Sequence, residues 1–331
     1  MASGAAFGFA PENLKPTVDR EFADGVNRFV ISSSDHQPLE RPGPGTTLGP
    51  FGVWFNRHET WAEQAGPWVD YLSRSSYLLQ QGRFVADVLW YYGQDSNITA
   101  LYANALPPVP SGYAFDFANT DALTRLSVTP DGSLTTASGM RYRLLALDAR
   151  AQIMSIDVLE RLAALVQAGA TVLGAKPIAS PSLADDPAHF NALAGAVWGA
   201  GDEPAGVRGG HRYGQGRVMW GVSLTDALPA IAAEPDFDYA RAADAEVPVV
   251  FVHRTAPEAE IYWLSNRTDQ PVSLDARFRV SGRAAEFWHA DSGHQEAASY
   301  RIEGSHTLVP LELDAHEALF VVFRAPTAGR W

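Results

Sequence analysis

The sequence contains no cysteine among its 331 residues. A chain without cysteine has no disulfide, no thiolate nucleophile, no cysteine-ligated zinc and no iron–sulfur cluster. Positive charge is also scarce, because 25 lysine and arginine residues stand against 38 aspartate and glutamate residues and give a net charge of −13. Since so acidic a surface repels phosphate groups, and no basic patch stands out along the sequence, we expect neither nucleic acid nor anionic membranes as partners.

Long apolar runs and regularly spaced ligands are absent as well. No stretch of about 18 apolar residues predicts a transmembrane helix, and residues 1–9 lack the basic and apolar regions of a signal peptide. The nine histidines lack the H-E-x-x-H spacing of zinc sites. Gly214-Gln215-Gly216 fits no dinucleotide fingerprint, so no nucleotide cofactor is expected. The acidic pairs Asp185-Asp186 and Asp236-Phe237-Asp238 could each offer oxygen ligands to calcium, but neither resembles an EF-hand loop.

Three segments with different hydrophobic patterns follow one another, and the 46% hydrophobic content allows each a buried core. Residues 1–82 predict a strand at Arg28–Ser34, a loop rich in proline and glycine at 41–45, and a helix from Thr60 that Pro67 should kink or delay. Residues 83–240 alternate short strands with helices, including one at 155–168, which is typical of a doubly wound, mainly parallel sheet. Residues 241–331 read as short strands separated by turns, which is typical of a β-sandwich.

The densest group of polar and aromatic residues lies in the first segment. Sugar sites combine flat aromatic faces with carboxylates, amides and arginine side chains that bind hydroxyl groups. The candidate catalytic carboxylates are Glu59, which lies between His58 and two tryptophans, and Asp35. The candidate substrate-binding residues are Asn27, Arg28, His36, Gln37, Trp54, Asn56, Arg57, His58 and Trp61. The structural alternative is that both tryptophans belong to a core and that Arg57 and Glu59 form an ordinary ion pair.

Several short motifs occur in an order that is more specific than any one of them. They are Leu14-Lys15-Pro16, Asp19-Arg20, Asn27-Arg28-Phe29-Val30, His36-Gln37-Pro38, Asn56-Arg57-His58-Glu59-Thr60-Trp61, Leu79-Gln80-Gln81-Gly82, Val85-Ala86-Asp87-Val88 and Phe287-Trp288-His289-Ala290-Asp291-Ser292-Gly293. In this order the chain resembles glycoside hydrolase family 106, the α-L-rhamnosidases. The resemblance continues to Phe323 and therefore covers nearly the whole chain.

The resemblance implies an inverting hydrolase of terminal α-linked L-rhamnose with a (β/α)8 catalytic barrel and with calcium as a possible cofactor. Residues 1–82 would then be the end of the barrel, residues 83–240 an amidotransferase-like accessory domain, and residues 241–331 the β-sandwich. Family members are much longer, so we expect a truncated chain. An inverting glycosidase needs two carboxyl groups about 6.5–9.5 Å apart, and we expect at least one of them upstream. The family also accepts glutamine at the position of Glu59, which favours a hydrogen-bonding role for that residue.

Two other functions stay open at this stage. The first is a non-catalytic fragment that binds sugar or assembles with other chains, in which an incomplete barrel would expose apolar surface and strand edges and so promote homo-oligomers. The second is a glycosidase of another specificity, such as a β-galactosidase, since one fold accommodates many sugars. Family members are often periplasmic or secreted, but the sequence predicts no compartment for this chain.

Overall fold

The structure is a computed structural model that describes residues 6–40, 45–46, 49, 51–94, 106–200, 208–240 and 248–327. Most of the loop expected at 41–45 therefore lies outside the described residues. The chain divides into two compact units, one formed by residues 1–84 and 237–331 and the other by residues 85–236. Among the described helices, none has the length and apolar character that a membrane span requires.

The bounds of the secondary-structure elements are as follows. The described helices are α1 Pro11–Ala23, α2 Gly66–Leu79, α3 Thr120–Arg125, α4 Ile156–Gln167, α5 Pro187–Trp198 and α6 Leu224–Ala230. The described strands are β1 Arg83–Phe84, β2 Val88–Tyr91, β3 Phe115–Ala118, β4 Ser127–Val128, β5 Leu134–Thr135, β6 Arg141–Tyr142, β7 Leu144–Leu147, β8 Thr171–Leu173, β9 Gly209–Tyr213, β10 Gly216–Trp220, β11 Phe237–Tyr239, β12 Val249–Ala256, β13 Ala259–Asn266, β14 Val272–Phe278, β15 Arg283–Trp288, β16 Gln295–Ala297, β17 Arg301–Glu303, β18 His306–Leu313 and β19 Ala318–Pro326.

The unit formed by residues 1–84 and 237–331 contains two antiparallel sheets. Their strand orders are β1-β12-β13-β19-β15-β16 and β11-β14-β18-β17. Alternation along β13 explains the packing, because successive side chains of a strand point to opposite faces. Tyr262 and Leu264 enter the core that the two sheets share. Ile261 and Trp263 enter a second core, which residues of α1 and α2 complete, so these helices cover the other face of the six-stranded sheet.

The unit of residues 85–236 is built on a six-stranded sheet in the order β3-β2-β7-β8-β10-β9. Its neighbouring strands run parallel, except that β9 pairs with β10 in the antiparallel sense. All four residues of β7 are buried, as expected of a central strand that is covered on both faces. Helix α6 places Leu224 and Leu228 in a core with Val88 and Leu144 of the sheet. Strands β4, β5 and β6 form a separate small antiparallel sheet.

Several elements expected from the sequence are confirmed. The helix expected at 155–168 is α4, and Gly169 follows it with a φ of 125°. Pro67 lies in the first turn of α2, so it delays the start of that helix from Thr60 to Gly66, and a short 3-10 turn occupies Ala62–Gln64 instead. The fold is thus a mixed α/β structure with several sheets, whereas the division into three domains stays a prediction.

The prediction of a strand at Arg28–Ser34 is wrong. This segment has no ladder partner and makes only isolated backbone hydrogen bonds to the segment Val53–Phe55. Ser33 N donates to Val53 O at 2.9 Å, Val53 N donates to Ser32 O at 2.8 Å, and Phe55 N donates to Ser33 O at 3.1 Å. The β-branched and aromatic residues of the segment favour a strand, but that preference depends on packing against neighbouring strands. Val30, for example, is 84% exposed.

Candidate functional site

The predicted site residues lie in the connection between α1 and α2, from Asp24 to Ala65. The described part of this connection contains no strand. In place of a sheet ladder, isolated backbone hydrogen bonds, apolar packing and hydrogen bonds from side chains to nearby backbone groups hold it. Polar side chains that hold a loop in this way have fewer groups left for a ligand, so each candidate can be judged by what it already binds.

Gln37 is buried and holds the loop that follows it. Its Nε2 donates to Thr46 O at 2.8 Å, and its Oε1 accepts from Thr46 N at 2.9 Å. The His36 carbonyl accepts from the Thr46 hydroxyl, while the His36 side chain is exposed. Gly45 has a φ of 91°, and a Cβ there would lie 1.9 Å from Gln37 Oε1. Both ends of the Gln37 amide are thus engaged in loop structure.

Asp35 is half-buried and keeps part of its carboxylate available. Its Oδ2 accepts from the Ser33 hydroxyl at 2.7 Å. Its Oδ1 has no hydrogen-bond partner among the described residues. A carboxylate has about four lone-pair sites, so Asp35 can accept further hydrogen bonds from a ligand without losing its contact to Ser33.

The residues from Asn56 to Thr60 form a turn that uses its own polar groups. Asn56 Oδ1 accepts from His58 N at 2.8 Å. Glu59 is 7% exposed, and its Oε1 accepts from Thr60 N at 2.8 Å and from the Thr60 hydroxyl at 3.2 Å. Arg57 pairs with Glu40 at 3.4 Å instead of with Glu59, so the ion pair of the structural alternative is wrong. The Glu59 carboxylate thus stabilises the turn with one of its two oxygens.

His58 contributes a polar atom that is both buried and unpaired within the described part of the chain. Its Nε2 is buried and has no hydrogen-bond partner among the described residues. Buried polar atoms are nearly always paired with protein or ordered water. A hydroxyl group of a bound ligand would supply the missing partner, whichever tautomer the ring adopts, because a hydroxyl can both donate and accept.

The two tryptophans differ in their surroundings. Trp61 Nε1 donates to Phe9 O at 2.9 Å, and its ring centroid lies 5.7 Å from that of Phe55. Trp61 packs against the core that α1 and α2 complete, which agrees with the structural alternative for this residue. Trp54 is half-buried, and its ring centroid lies 6.4 Å from that of Phe7. Of the two rings, Trp54 has fewer contacts to fix it in a structural role.

Asn27 and Arg28 stand at the start of the connection. The Asn27 carbonyl accepts from Gln80 Nε2 at 2.8 Å. Neither side chain makes a hydrogen bond or an ion pair with the described part of the chain. The groups that this region leaves unpaired include the side chains of Asn27, Arg28 and His36, one oxygen each of Asp35 and Glu59, and His58 Nε2. An amide, a guanidinium, a carboxylate and an imidazole can each bind a sugar hydroxyl.

A cleft lies beside part of this connection, but its lining is apolar. Phe29, Ile31, Val53 and Phe55 line it together with Leu14, Trp68 and Leu72 of the two helices. None of the predicted site residues is among the residues that line it. The cleft therefore suits the side chains of another protein segment better than a sugar, and the assignment of the predicted site residues stays a prediction.

Calcium stays an expectation from the family resemblance. Within the described residues, no group of three or more histidine, aspartate or glutamate side chains could hold a metal ion. Asp185 Oδ2 accepts from Ile156 N at 2.8 Å and from the Ser180 hydroxyl at 2.6 Å. Asp186 caps α5 by accepting from Ala188 N, and Asp238 accepts from Tyr239 N. Asp185, Asp186 and Asp238 hold turns and helix ends, so we derive no chemical step through calcium.

Sequence reasoning missed one cavity, which lies in the unit of residues 85–236. It measures about 430 Å³, and Arg143, Arg212 and Arg217 contribute to its lining. Arg212 and Arg217 lie about 70 positions after Arg143, so the three arginines form no basic run in the sequence. Only the order of the strands brings them together, and the sequence carries no short-range signal for that order.

Known proteins resemble the chain over most of its length. The sequence model of glycoside hydrolase family 106, described as alpha-L-rhamnosidase, matches residues 1–302. The structure of a rhamnosidase from Novosphingobium sp. PP1Y has a TM-score of 0.91 at 43% identity, over 100% of this chain and 31% of that chain. A protein of Formosa agariphila, named as a candidate beta-glucuronidase, is 33% identical over 320 residues, which are 95% of this chain and 26% of that protein.

More distant structures share the fold alone. Gan42B, a GH42 β-galactosidase from G. stearothermophilus, has a TM-score of 0.57 at 11% identity, over 96% of this chain and 51% of that chain. A β-galactosidase from Bacillus circulans sp. alkalophilus has a TM-score of 0.58 at 10% identity, over 95% of this chain and 52% of that chain. The chain thus spans only part of the length of every relative named here.

Proposed function

The chain belongs to glycoside hydrolase family 106, the alpha-L-rhamnosidases, and from this premise we propose that it acts in the hydrolysis of terminal α-L-rhamnosyl linkages with inversion. The observation that carries the proposal is the likeness to the Novosphingobium rhamnosidase, which extends over the whole chain at 43% identity. The substrate would be a rhamnose-containing glycan or glycoside. Because the chain spans 31% of that relative, activity of these residues by themselves is part of what needs to be tested.

We propose Asp35 as the carboxylate that acts on the substrate. Inversion requires a protonated carboxylic acid for the leaving oxygen and an ionised carboxylate that activates water. Asp35 is half-buried and has an unpaired oxygen, whereas Glu59 is nearly fully buried and hydrogen-bonded to Thr60. Glu59 would then support the turn that presents Asn56, Arg57 and His58, although a catalytic role for its second oxygen stays part of the proposal.

Sugar binding would use the groups that the connection leaves unpaired. Asn27, Arg28 and His58 Nε2 would bind hydroxyl groups, and the half-buried Trp54 would contact an apolar face of the ring. Gln37 and His36 would act through the loop at Thr46, which the Gln37 amide fixes. Trp61 would support the site from the core behind it.

The same proposal includes the domain architecture. Residues 1–82 would supply the end of a (β/α)8 barrel, residues 83–240 a doubly wound accessory domain, and residues 241–331 a β-sandwich. The fold-level likeness to GH42 β-galactosidases supports this reading. The mainly parallel sheet of the second unit supports it as well.

The alternative with a specific observation in its favour is a non-catalytic fragment that binds sugar or assembles. Of the two candidate carboxylates, Glu59 already holds its own turn. The large apolar side chains of Val30, Leu39 and Phe51 are exposed in the same connection. Exposed apolar surface of this kind promotes association, so copies of the chain would form oligomers, which sedimentation velocity would detect.

The decisive experiment is hydrolysis of p-nitrophenyl α-L-rhamnopyranoside by the purified 331-residue chain, with and without added calcium. If both carboxyl groups of the pair lie within these residues, the chain should turn over the rhamnoside, Asp35→Asn should abolish that turnover and Glu59→Gln should reduce it less. Asp24→Asn is the matched control, because Asp24 is an exposed residue of the same connection and its side chain makes only a surface ion pair with Arg20. The p-nitrophenyl β-D-galactoside and β-D-glucuronide serve as specificity arms.

The outcomes distinguish a rhamnosidase from a glycosidase of another specificity and from a non-catalytic fragment. Turnover of the rhamnoside alone supports the proposal, and turnover of another glycoside would replace it with that specificity. Absence of turnover from a folded, monodisperse sample would contradict the proposal for this chain. Calorimetric binding of rhamnose by that same sample would then support the non-catalytic alternative.

A further inference from the structure

The cavity of about 430 Å³ in the unit of residues 85–236 lies on the sheet where three strands begin. Arg143 directly precedes β7, Thr171 is the first residue of β8, and Arg217 is the second residue of β10. Arg212 joins them from the antiparallel edge strand β9, and Ser133 and Gln215 add further polar groups to the lining. The lining of the cavity is mainly polar, and three of its residues are arginines.

The strand register places two of the arginines side by side. In the antiparallel pair of β9 and β10, Arg212 lies directly opposite Arg217, and in the parallel pair of β10 and β8, Arg217 lies next to Thr171. Side chains directly opposite one another have Cβ atoms about 4.5–5.5 Å apart, and like charges in such a pair are destabilising. The chain is strongly acidic overall, so this pair of positive charges is a local exception.

The arginines of the cavity make few hydrogen bonds. The Arg212 side chain has no hydrogen bond or ion pair with any described residue. Arg217 uses its Nη2 to donate to Ala230 O at 3.1 Å, and Arg143 Nε lies 3.4 Å from Asp87 Oδ1. Because a guanidinium carries five N–H donors, most donors of these three side chains remain unused. Arg212 and Arg217 have no carboxylate within ion-pair distance among the described residues.

Asp131, the acidic residue that lines the cavity, does not neutralise the positive charge of Arg212 and Arg217. Asp131 lines the cavity, but its oxygens accept from Arg141 Nη2 at 2.8 Å and from the hydroxyl groups of Thr129 and Ser133 at 2.5 Å and 3.0 Å. Arg141 does not line the cavity. The Asp131 charge is thus compensated from outside, and the positive charge of Arg212 and Arg217 stays uncompensated.

We propose that this cavity is an oxyanion site that binds a carboxylate or sulfate group, the acidic substituents that sugars carry. Arginine binds planar and tetrahedral oxyanions with two parallel N–H donors. An anion between Arg212 and Arg217 would attract both guanidinium groups and would offset the repulsion between them. The anion could be free in solution or attached to a sugar. The inference rests on the second unit alone and does not depend on the proposed hydrolase activity.

The test is calorimetric titration of the purified chain at constant ionic strength, with sodium chloride as the balancing salt. Sodium sulfate and sodium glucuronate are the anionic probes, and rhamnose is the neutral probe. We expect both anions to bind and rhamnose not to bind at this site. Arg212→Gln should weaken anion binding about tenfold or more, because hydrogen bonds to charged groups are strong. The affinity of Arg212→Lys for the anions should lie between those of the wild-type protein and Arg212→Gln, since lysine keeps the charge but loses the paired donors.

Arg125→Gln is the matched control. Arg125 belongs to α3 of the same unit, pairs with Asp121 at 2.7 Å on the surface and does not line the cavity. Its replacement removes the same charge and should leave anion binding unchanged. Arg212→Gln should melt no lower than the wild-type protein without anions, because Arg212 has no partner to lose. Arg217→Gln provides an independent second variant with the same expected loss.

The outcomes divide clearly. Tighter binding of glucuronate than of sulfate would support the site and assign it to acidic sugars, and binding of sulfate alone would support a site for free oxyanions. Failure of the wild-type protein to bind either anion above the chloride background would overturn the proposal. Equal losses in Arg212→Gln and Arg125→Gln would overturn it too, because the effect would then come from net charge.

Discussion

The strand β13, Ala259–Asn266, and the segment Arg28–Ser34 have similar compositions but different structures. Both contain β-branched and aromatic residues that are followed by serine. Strand β13 pairs with β12 on one side and with β19 on the other, and most of its residues are buried. The segment Arg28–Ser34 makes only isolated hydrogen bonds to Val53 and Phe55. Partners on both sides, more than residue preference, determine which run becomes a strand.

The largest effect should follow from replacing a central residue of β13. Trp263 is fully buried, and its ring lies 5.8 Å from that of Phe22 in α1. Trp263→Ala should lower the free energy of unfolding by about 3–5 kcal/mol, because it removes a large buried side chain and leaves a cavity. Urea unfolding followed by circular dichroism measures the loss.

Val30→Ala is the matched change in the exposed segment. Val30 is a β-branched residue within the run Arg28–Ser34, but it is 84% exposed. Its replacement should change the free energy of unfolding by less than about 0.5 kcal/mol. If Val30→Ala lowered the free energy of unfolding as much as Trp263→Ala, the segment would be packed in solution, and it would no longer differ from β13 in this respect.

The next largest loss of stability should follow from removing a buried hydrogen bond between α1 and α2. Tyr71 of α2 is buried, and its hydroxyl donates to Asp19 of α1, whose other oxygen lies 2.6 Å from Lys15 Nζ. Tyr71→Phe should cost about 2 kcal/mol at pH 7, since it removes a hydrogen bond to a buried carboxylate. Tyr77→Phe on the same helix is the control and should cost little, because the Tyr77 side chain is exposed.

The pH dependence of the Tyr71→Phe effect has a definite sign. Burial and the nearby Asp19 charge raise the pKa of Tyr71 far above its usual value of 10.0. Above pH 10 the unfolded chain therefore releases this proton while the folded chain retains it. The stabilisation by Tyr71 is fully present below pH 10 and is lost as the pH rises further. The difference between wild type and Tyr71→Phe should narrow above pH 10, and a constant difference up to pH 11 would contradict this account.

Much of the fold could be predicted from the sequence because its signal is local. The helix α4 has an apolar stripe at the helical period, and the strands β7 and β8 are short apolar runs bounded by other residue types. The delayed start of α2 follows from the missing N–H of Pro67. The run Arg28–Ser34 misled because its preference is equally local, whereas a strand also needs a partner from elsewhere in the chain.

The candidate site was predictable only as a cluster of residue types. The sequence shows that Gln37, Asn56 and Glu59 are polar residues of one segment, but not that each already bonds to a neighbouring backbone group. Nor does it show which groups stay unpaired, such as His58 Nε2. The arginine pair Arg212 and Arg217 was invisible for another reason, since their juxtaposition follows from the register of β9 and β10.

A smaller effect should follow from breaking a local contact of the connection. Gln37→Ala removes two hydrogen bonds to Thr46 and should lower the free energy of unfolding by about 1 kcal/mol. It should also speed amide hydrogen exchange around Thr46, because the loop loses its fixed closure. His36→Ala is the control, since the His36 side chain is exposed and makes no hydrogen bond in the described residues. Equal exchange in both variants would show that other contacts fix the loop.

The smallest effect on stability should come from Arg57, and for that reason it is informative about function. Arg57 makes only long, exposed contacts at 3.4 Å to Glu40 and to Leu39 O. Exposed ion pairs contribute little, so Arg57→Ala should change the free energy of unfolding by less than about 0.5 kcal/mol. Arg20→Ala, which breaks a surface pair with Asp24 at 3.8 Å, is the matched control. If Arg57 binds substrate, its variant alone should raise KM for the rhamnoside while its unfolding midpoint stays at that of the control. A fall in the midpoint would instead place Arg57 among the residues that hold the connection.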